Sequence, residues 1–110
     1  MVQYAQRLDS TFTAVADATR RGILERLGRG GASITELALA FGMTLTGMKK
    51  HVQVLEGVGM VTTAKVGRVR TCRLGKRNLA AEGAWIANYQ RMIEDRYDRL
   101  GAFLEQTKGD

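Results

Sequence analysis

The residues best suited to recognise a charged partner are concentrated in residues 44–77. This segment holds eight lysines and arginines and only one acid, Glu56, whereas the rest of the chain carries nearly equal numbers of both signs. Since the whole chain has a net charge of +6, essentially all the excess charge lies in this one segment. Such a concentration is typical of a surface that faces a nucleic acid, although a basic patch can also serve solubility or an acidic partner.

Residues 44–56, TLTGMKKHVQVLE, have the spacing of an amphipathic helix. Its predicted apolar side carries Leu45, Met48, Val52 and Leu55. The other side combines hydroxyl, amide and cationic groups, which suit hydrogen bonds to base edges and phosphates. The candidate DNA-binding residues of this helix are Thr44, which is also its potential N-cap, with Thr46, Gly47, Lys49, Lys50 and Gln53.

A shorter helix is predicted just before this one, at residues 34–41. Ser33 and Glu36 have the spacing of a capping box at its start, and Gly42 ends it. Two helices joined by a turn of about three residues make residues 34–57 a helix-turn-helix candidate, whose second helix would present its N-terminal end to the major groove. An ordinary pair of core helices with a solvated face has the same pattern.

Residues 60–74 change to a β-type pattern and are predicted to form a hairpin around Val66 and Gly67. Alternation of side chains places Cys72 and Leu74 on the face toward the core. Basic residues near the tip are suited to phosphate contact or to the minor groove, although charges can also simply keep an exposed edge soluble. The candidate DNA-binding residues of the hairpin are Lys65, Arg68 and Arg70.

A helix-turn-helix followed directly by a basic hairpin is the order of elements in a winged helix. The two features together are more specific than either alone, and they favour binding to duplex DNA. We therefore predict a mostly α fold with a small β-hairpin: a single winged helix-turn-helix domain over residues 1–110.

The last predicted helix, at residues 78–106, has an apolar stripe longer than a small domain can cover, which indicates a two-fold homodimer through the N- and C-terminal helices. The alternative is that this helix folds back on its own domain. A dimer would place two recognition helices about one DNA turn apart, so the operator should be an inverted repeat. The candidate interface residues are Leu8, Phe12, Val15, Leu79, Trp85, Ile86, Tyr89, Ile93, Leu100 and Leu104.

Three stretches, FTAVADATRRGILERL, SITELALAFGMTLTGMKKHVQVLEGVGMV and VGRVRTCRL, together resemble the ArsR-type winged-helix repressors of bacteria. The segment LAAEGAWIANYQRMIEDRYDRLGAFL is similar to one branch of that family, with a Trp and a Tyr on the last helix. The resemblance implies a homodimeric transcriptional repressor, commonly acting on its own operon. It assigns DNA contact to the helix residues Thr44, Thr46, Lys49, Lys50 and Gln53 and to the wing residues Arg68 and Arg70. The chain has Ala18 and Lys49 where the family often has proline and serine, so the operator sequence cannot be transferred from relatives.

Many members of this family sense metals, but this chain has one cysteine and one histidine, too few for a thiolate or zinc site. We therefore expect no metal and no cofactor, with Cys72 as a buried apolar residue and His51 as a structural or DNA-proximal one. No phosphate loop or nucleophile motif is present, so we expect no enzyme. With no signal sequence and no apolar run of membrane length, the expected location is the cytoplasm.

Two other functions fit the same sequence. One is an architectural DNA-binding protein of low specificity, and the other is a protein-interaction winged helix that does not bind DNA. Double-stranded DNA and a second copy of the chain are the expected partners, and the identity of any small-molecule inducer stays open.

Overall fold

In the computed structural model, the backbone of residues 2–108 and the side chains of residues 3–106 are described. The chain forms two compact units, one up to Asn78 and one from Leu79 onward. The second unit is one long helix, so the predicted single domain stays a prediction. The elements are α1 Val2–Ala16, α2 Ala18–Leu27, β1 Ala32–Ser33, α3 Ile34–Ala40, α4 Leu45–Gly57, β2 Val61–Val66, β3 Val69–Leu74 and α5 Ala80–Lys108.

The first unit has a small antiparallel sheet of three strands in the order β1-β3-β2. The predicted hairpin is present as β2 and β3, with Thr63 opposite Cys72, and β1 adds a third strand in which Ala32 also lies opposite Cys72. The sequence analysis missed β1 because a strand of two residues is too short to show an alternating pattern. The hairpin is thereby joined to the segment that leads into α3.

The core of this unit lies where α2, α3, α4 and the sheet meet. Ile23, Leu37, Met48, Leu55 and Cys72 are fully buried there. Side chains three and four residues apart share one side of a helix, so α4 packs its predicted apolar side inward at Met48, Val52 and Leu55.

Two residues predicted to face the core do not. Leu45 is 44% exposed, because it is the first residue of α4 and lines a surface groove beside the hairpin. Leu74, the last residue of β3, is 45% exposed. Alternation correctly gave the side of the strand, as buried Cys72 shows, but it does not determine how far along a strand the core extends.

Side-chain caps begin the three inner helices. Asp17 Oδ2 accepts a hydrogen bond from the Arg20 N–H, Ser33 Oγ from the Glu36 N–H, and Thr44 Oγ1 from the Gly47 N–H, each at 3.0 Å. Caps satisfy amides that have no partner within the helix. The predicted caps Ser33 and Thr44 are confirmed, and where the sequence allowed either Asp17 or Thr19 as the cap of α2, the structure has Asp17.

Two glycines allow tight turns, one just before α4 and one in the hairpin. Gly42, between α3 and α4, has φ +63°, and Gly67 in the hairpin turn also has φ +63°. Both values lie in the left-handed region, where a side chain is unfavourable. Gly67 is the first of the two turn residues, which is the position of glycine in a type II′ turn.

The second unit, α5, is 29 residues long, or roughly 44 Å at 1.5 Å per residue. Its start lies within two residues of the predicted one, inside the usual uncertainty of helix ends. At the other end of the chain, α1 begins at Val2 and ends at Ala16. Among residues 2–108, no helix is long and apolar enough to cross a membrane.

Candidate nucleic-acid interface

The outward side of α4 carries the side chains that the sequence analysis selected. Because Met48, Val52 and Leu55 anchor the other side in the core, Lys50 and Gln53 are directed outward and exposed, as are Thr46 and Lys49. A rigid helix that presents amide and amine groups to solvent has the shape and chemistry to read base edges in a major groove. We refer to α4 as the recognition helix.

Thr44 and Gly47 have a structural role at the start of the recognition helix. Thr44 is exposed, and its hydroxyl oxygen accepts the Gly47 N–H. A Cβ added to Gly47 would lie 3.1 Å from Thr44 Oγ1 and 3.5 Å from Met43 Cε, so a larger residue would press on the cap. The glycine therefore protects the cap geometry, while the Thr44 hydroxyl keeps its proton available for a phosphate oxygen.

The wing, defined as β2, β3 and the turn between them, is cationic at its tip. Lys65 and Arg70 lie directly opposite one another on the two strands, and Arg68 occupies the turn. All three side chains are exposed. Because like charges at directly opposite positions repel, this pair lowers the stability of the wing modestly while it concentrates positive charge near the tip.

A groove of about 570 Å³ runs between the first turns of the recognition helix and the wing. We call it the wing groove. It brings together four of the predicted DNA-binding residues, while Lys50 and Thr46 are not part of its lining and Gln53 lines an adjoining cavity of about 360 Å³. The cationic residues that line the wing groove are Lys49, Lys65, Arg68 and Arg70, above apolar side chains of Ile34, Leu45 and Val69.

The recognition helix is held on its inner flank by a contact that the sequence analysis did not predict. Arg20 donates through Nε to the Ala14 carbonyl at 2.7 Å and through Nη2 to the Thr13 carbonyl at 3.0 Å, and its Nη1 lies 3.2 Å from His51 Nδ1. Since a guanidinium only donates, His51 Nδ1 accepts and the imidazole carries its proton on Nε2. His51 is therefore a structural residue of the helix, which was one of the two roles expected for it.

Asp17 completes this contact. Its Oδ2 lies 3.8 Å from His51 Nδ1, and the hydrogen bond from the Arg20 backbone N–H, followed by the nearby charge of Arg20, lowers the pKa of the carboxyl group. The ends of α1 and α2 thus meet the middle of the recognition helix through three side chains. The signal available in the sequence was the pair Asp17 and Arg20 at capping distance, but nothing local linked it to His51.

Comparisons with known proteins agree with this geometry. A family model described as a helix-turn-helix domain matches residues 15–64. The HTH-type transcriptional regulator Rv2034 of Mycobacterium tuberculosis is 34% identical over 73 residues, which cover 66% of this chain and 68% of that protein. A crystal structure of an ArsR family transcriptional regulator, RHA00566, is 46% identical with a TM-score of 0.75, and the match covers 86% of this chain and 97% of that one.

The chain belongs to the ArsR family of transcriptional regulators. A second solved structure, an ArsR-like transcriptional regulator from Rhodococcus sp. RHA1, is 33% identical with a TM-score of 0.65 and covers 96% of this chain and 94% of its own. The predicted fold class, a winged helix-turn-helix, is thereby confirmed. So is the predicted function at its coarser level: this ArsR-family member is a DNA-binding transcriptional regulator and not an enzyme.

Cys72 occupies a core position in this ArsR-family chain. It is fully buried between the β1 and β2 neighbours Ala32 and Thr63, and burial raises the pKa of its thiol. A thiol that stays protonated is a poor metal ligand and a poor nucleophile. Within residues 2–108, no three histidine, cysteine, aspartate or glutamate side chains come close enough to hold a metal ion together.

The apolar residues predicted for a dimer interface differ in exposure. On α5, Trp85, Ile86, Tyr89, Leu100 and Leu104 are each more than half exposed and Ile93 is half-buried, and Leu79, just before this helix, is 39% exposed. The rings of Trp85 and Tyr89 stack with centroids 5.8 Å apart and planes within 6°. On α1, Phe12 and Val15 are half-buried, and Leu8 is only 8% exposed, so Leu8 has little area to offer a second chain.

Proposed function

We propose that this regulator is a homodimeric repressor that occupies an inverted-repeat operator, including one upstream of its own gene. The observation that carries the proposal is the apolar surface of α5. Its exposed large apolar side chains are Trp85, Ile86, Tyr89, Met92, Tyr97, Leu100, Phe103 and Leu104. A contiguous apolar surface of this kind marks an interaction site, and a second copy of the same helix is the simplest partner that matches it.

A two-fold dimer requires that two identical reading units face the same side of the DNA. The recognition helix and the wing supply such a unit in each chain, with their cations on one surface. Two recognition helices about 34 Å apart would enter successive major grooves, which fixes half-site centres 10–10.5 base pairs apart or a multiple of that spacing. A promoter that overlaps such an operator would be blocked.

Within each unit we assign different tasks to the predicted contact residues. To Lys50, Gln53 and Thr46, which are exposed outside the wing groove, we assign contact with base edges, which carry the sequence information. To Lys65, Arg68 and Arg70 of the wing we assign contact with the backbone and the minor groove, where cations provide affinity that depends on salt. Since regulation of transcription takes place where the DNA is, we propose that the protein works in the cytoplasm.

The test is a footprint on the DNA immediately upstream of the gene, together with the mass of the protein in solution. We expect two protected half-sites related by two-fold symmetry, and a mass of two chains at the same concentration. Uniform protection without half-sites would favour the architectural role. Binding to no duplex at any salt concentration would favour the protein-interaction role. Addition of metals and small molecules to the same assay tests for an inducer.

A further inference from the structure

A chain of hydrogen bonds connects the wing to the end of the recognition helix. Arg70 Nη1 donates to Thr63 Oγ1 at 3.0 Å, and Thr63 Oγ1 donates in turn to Glu56 Oε2 at 2.8 Å. Glu56 is the only acid in residues 44–77. We name these three residues the wing relay; they lie in a surface that is otherwise cationic.

The direction of the bonds in the wing relay is fixed by chemistry. A guanidinium has five N–H donors and no acceptor, a hydroxyl can donate one proton and accept, and an ionised carboxylate only accepts. The order Arg70, Thr63, Glu56 is therefore the one order in which every bond is satisfied, with a charged group at each end. The relay uses one N–H of Arg70 and leaves the others for another acceptor.

The position of Arg70 would be unfavourable without such a restraint. It lies directly opposite Lys65 on the neighbouring strand, and Lys49 lines the same groove. A free arginine with cations on two sides would turn toward solvent, because like charges repel and a long side chain gains rotamer entropy there. The relay instead restrains Arg70, which lines the wing groove together with three other cations and also lines the adjoining cavity with Thr63 and Glu56.

We propose that the wing groove binds a backbone phosphate of duplex DNA between Arg70, Lys49 and Lys65, and that Glu56 and Thr63 are positioning residues that hold Arg70 for this contact. The inference rests on the proposed DNA-binding mode and specifies which part of the DNA this site takes. A phosphate placed here relieves the repulsion among the cations, and a guanidinium can bind it through two N–H groups. The strand that passes from the major groove at the recognition helix to the minor groove at the wing tip would supply it.

Thr63→Val is the variant that isolates positioning from charge. It keeps the shape, the β-branching and the net charge of the chain and removes only the hydroxyl that links Arg70 to Glu56. Glu56→Gln is less direct, because removal of a negative charge strengthens DNA binding and opposes the loss of positioning. Thr62→Val is the matched control, since Thr62 is exposed and lies on the other face of the same strand, opposite Arg73.

The experiment measures the affinity of the full chain for a random-sequence duplex, across a series of salt concentrations, by fluorescence anisotropy. For Arg70→Ala we expect a weaker complex and a slope of log K against log salt that is smaller by about 0.9, the value of one lost phosphate contact. For Thr63→Val we expect a loss of roughly 2- to 10-fold, the cost of ordering one long side chain on binding. Thr62→Val should bind like the wild type.

The double variant Thr63→Val with Arg70→Ala decides the role of the relay. If Thr63 acts through Arg70, the double variant binds like Arg70→Ala alone, whereas a purely structural role of Thr63 would weaken both backgrounds equally. The inference would be overturned if Thr63→Val weakened DNA binding equally in both backgrounds, if Arg70→Ala left the salt slope unchanged, or if Thr63→Val strengthened the complex. These results would leave the regulator's DNA binding itself intact. A wild-type chain that binds no duplex would instead overturn the proposed function as well.

Discussion

The region made of the recognition helix and the wing differs from α5 in the kind of surface that it exposes. The first region presents charge, and hydrogen bonds within the chain hold two of its side chains, Arg70 through Thr63 and His51 through Arg20. The second region presents apolar surface, on which the rings of Trp85 and Tyr89 stack. The first region is thus ordered before it meets a ligand, whereas the second exposes the surface that we propose a second chain covers.

This difference distinguishes the DNA binding that one chain can provide from the DNA binding that would require two chains. A cationic unit held by internal hydrogen bonds can bind DNA without further ordering, which lowers the entropic cost of binding. In the proposed dimer, α5 paired with its copy would fix the distance and symmetry of two such units. Affinity for any duplex would then depend on the first region, and selection of an inverted repeat would depend on both.

The largest expected effect comes from adding charge to the apolar stripe of α5. In the double variant Ile86→Glu with Leu100→Glu, two carboxylates would have to be buried between chains, so we expect a monomer. Because the second half-site is then no longer bound by a linked unit, operator affinity should fall by about 100-fold or more. Analytical ultracentrifugation and gel shift on the operator measure the two results.

A matched control places the same charges elsewhere on α5. Ala84 and Ala102 are exposed and, at 100° per residue, lie on the opposite side of the helix from Ile86 and Leu100. Ala84→Glu with Ala102→Glu should remain a dimer and keep its operator affinity within a few-fold. If the control dissociates as readily as the double variant, or if neither does, the apolar stripe is not the contact surface.

The two regions also differ in how far the sequence alone predicts them. Helical spacing was sufficient to place Met48 and Val52 in the core and Lys50 on the outside, because a helix fixes the relative directions of its own side chains. The caps at Ser33 and Thr44 were equally predictable, since they depend on residues three positions apart, whereas for α2 the sequence left Asp17 and Thr19 as alternatives. The apolar stripe of α5 followed from the same spacing.

Contacts between residues far apart in the sequence could not be predicted from it. Arg20 and His51 are 31 positions apart, and the bonds of the wing relay join residues seven apart on different elements. Such pairs depend on how elements pack against one another, which local periodicity does not encode. The same limit explains Leu45 and Leu74, whose spacing is correct but which lie where the core no longer extends.

A smaller effect distinguishes base reading from phosphate binding within the first region. Lys50 is exposed and stands outside the wing groove, so we expect it to contact a base edge. Lys50→Ala should then cost about 1–3 kcal/mol on the operator, roughly 5- to 150-fold, and much less on a random duplex. Competition gel shifts with both duplexes measure the ratio.

Lys76→Ala removes the same charge from an exposed position beyond the wing and serves as the control. It should leave the ratio of operator to random-duplex affinity unchanged. An equal loss on both duplexes for Lys50→Ala would instead assign Lys50 to the phosphate backbone, and sequence reading would have to rest on Gln53 and Thr46.

The smallest effect concerns the anchoring of the recognition helix and depends on pH. The folded pKa of Asp17 is lowered below the ordinary value of 3.8, first by the hydrogen bond from the Arg20 backbone N–H and then by the charge of Arg20. A carboxyl group with a depressed folded pKa stabilises the fold fully above its unfolded pKa, and that contribution is lost as the pH falls through the folded pKa. Asp17→Asn keeps a capping oxygen and removes the charge.

We therefore expect the wild type to unfold at higher urea concentration than Asp17→Asn at neutral pH, and this gap to close below about pH 3.8, where the carboxyl group becomes protonated. Asp17→Ala, which removes the cap as well, should stay less stable than both at every pH. If the difference in unfolding urea concentration between wild type and Asp17→Asn persists unchanged to pH 3, the charge of the Asp17 carboxyl group is not its cause. The recognition helix would then be held by the hydrogen bonds of Arg20 alone, and its anchoring would not respond to pH through Asp17.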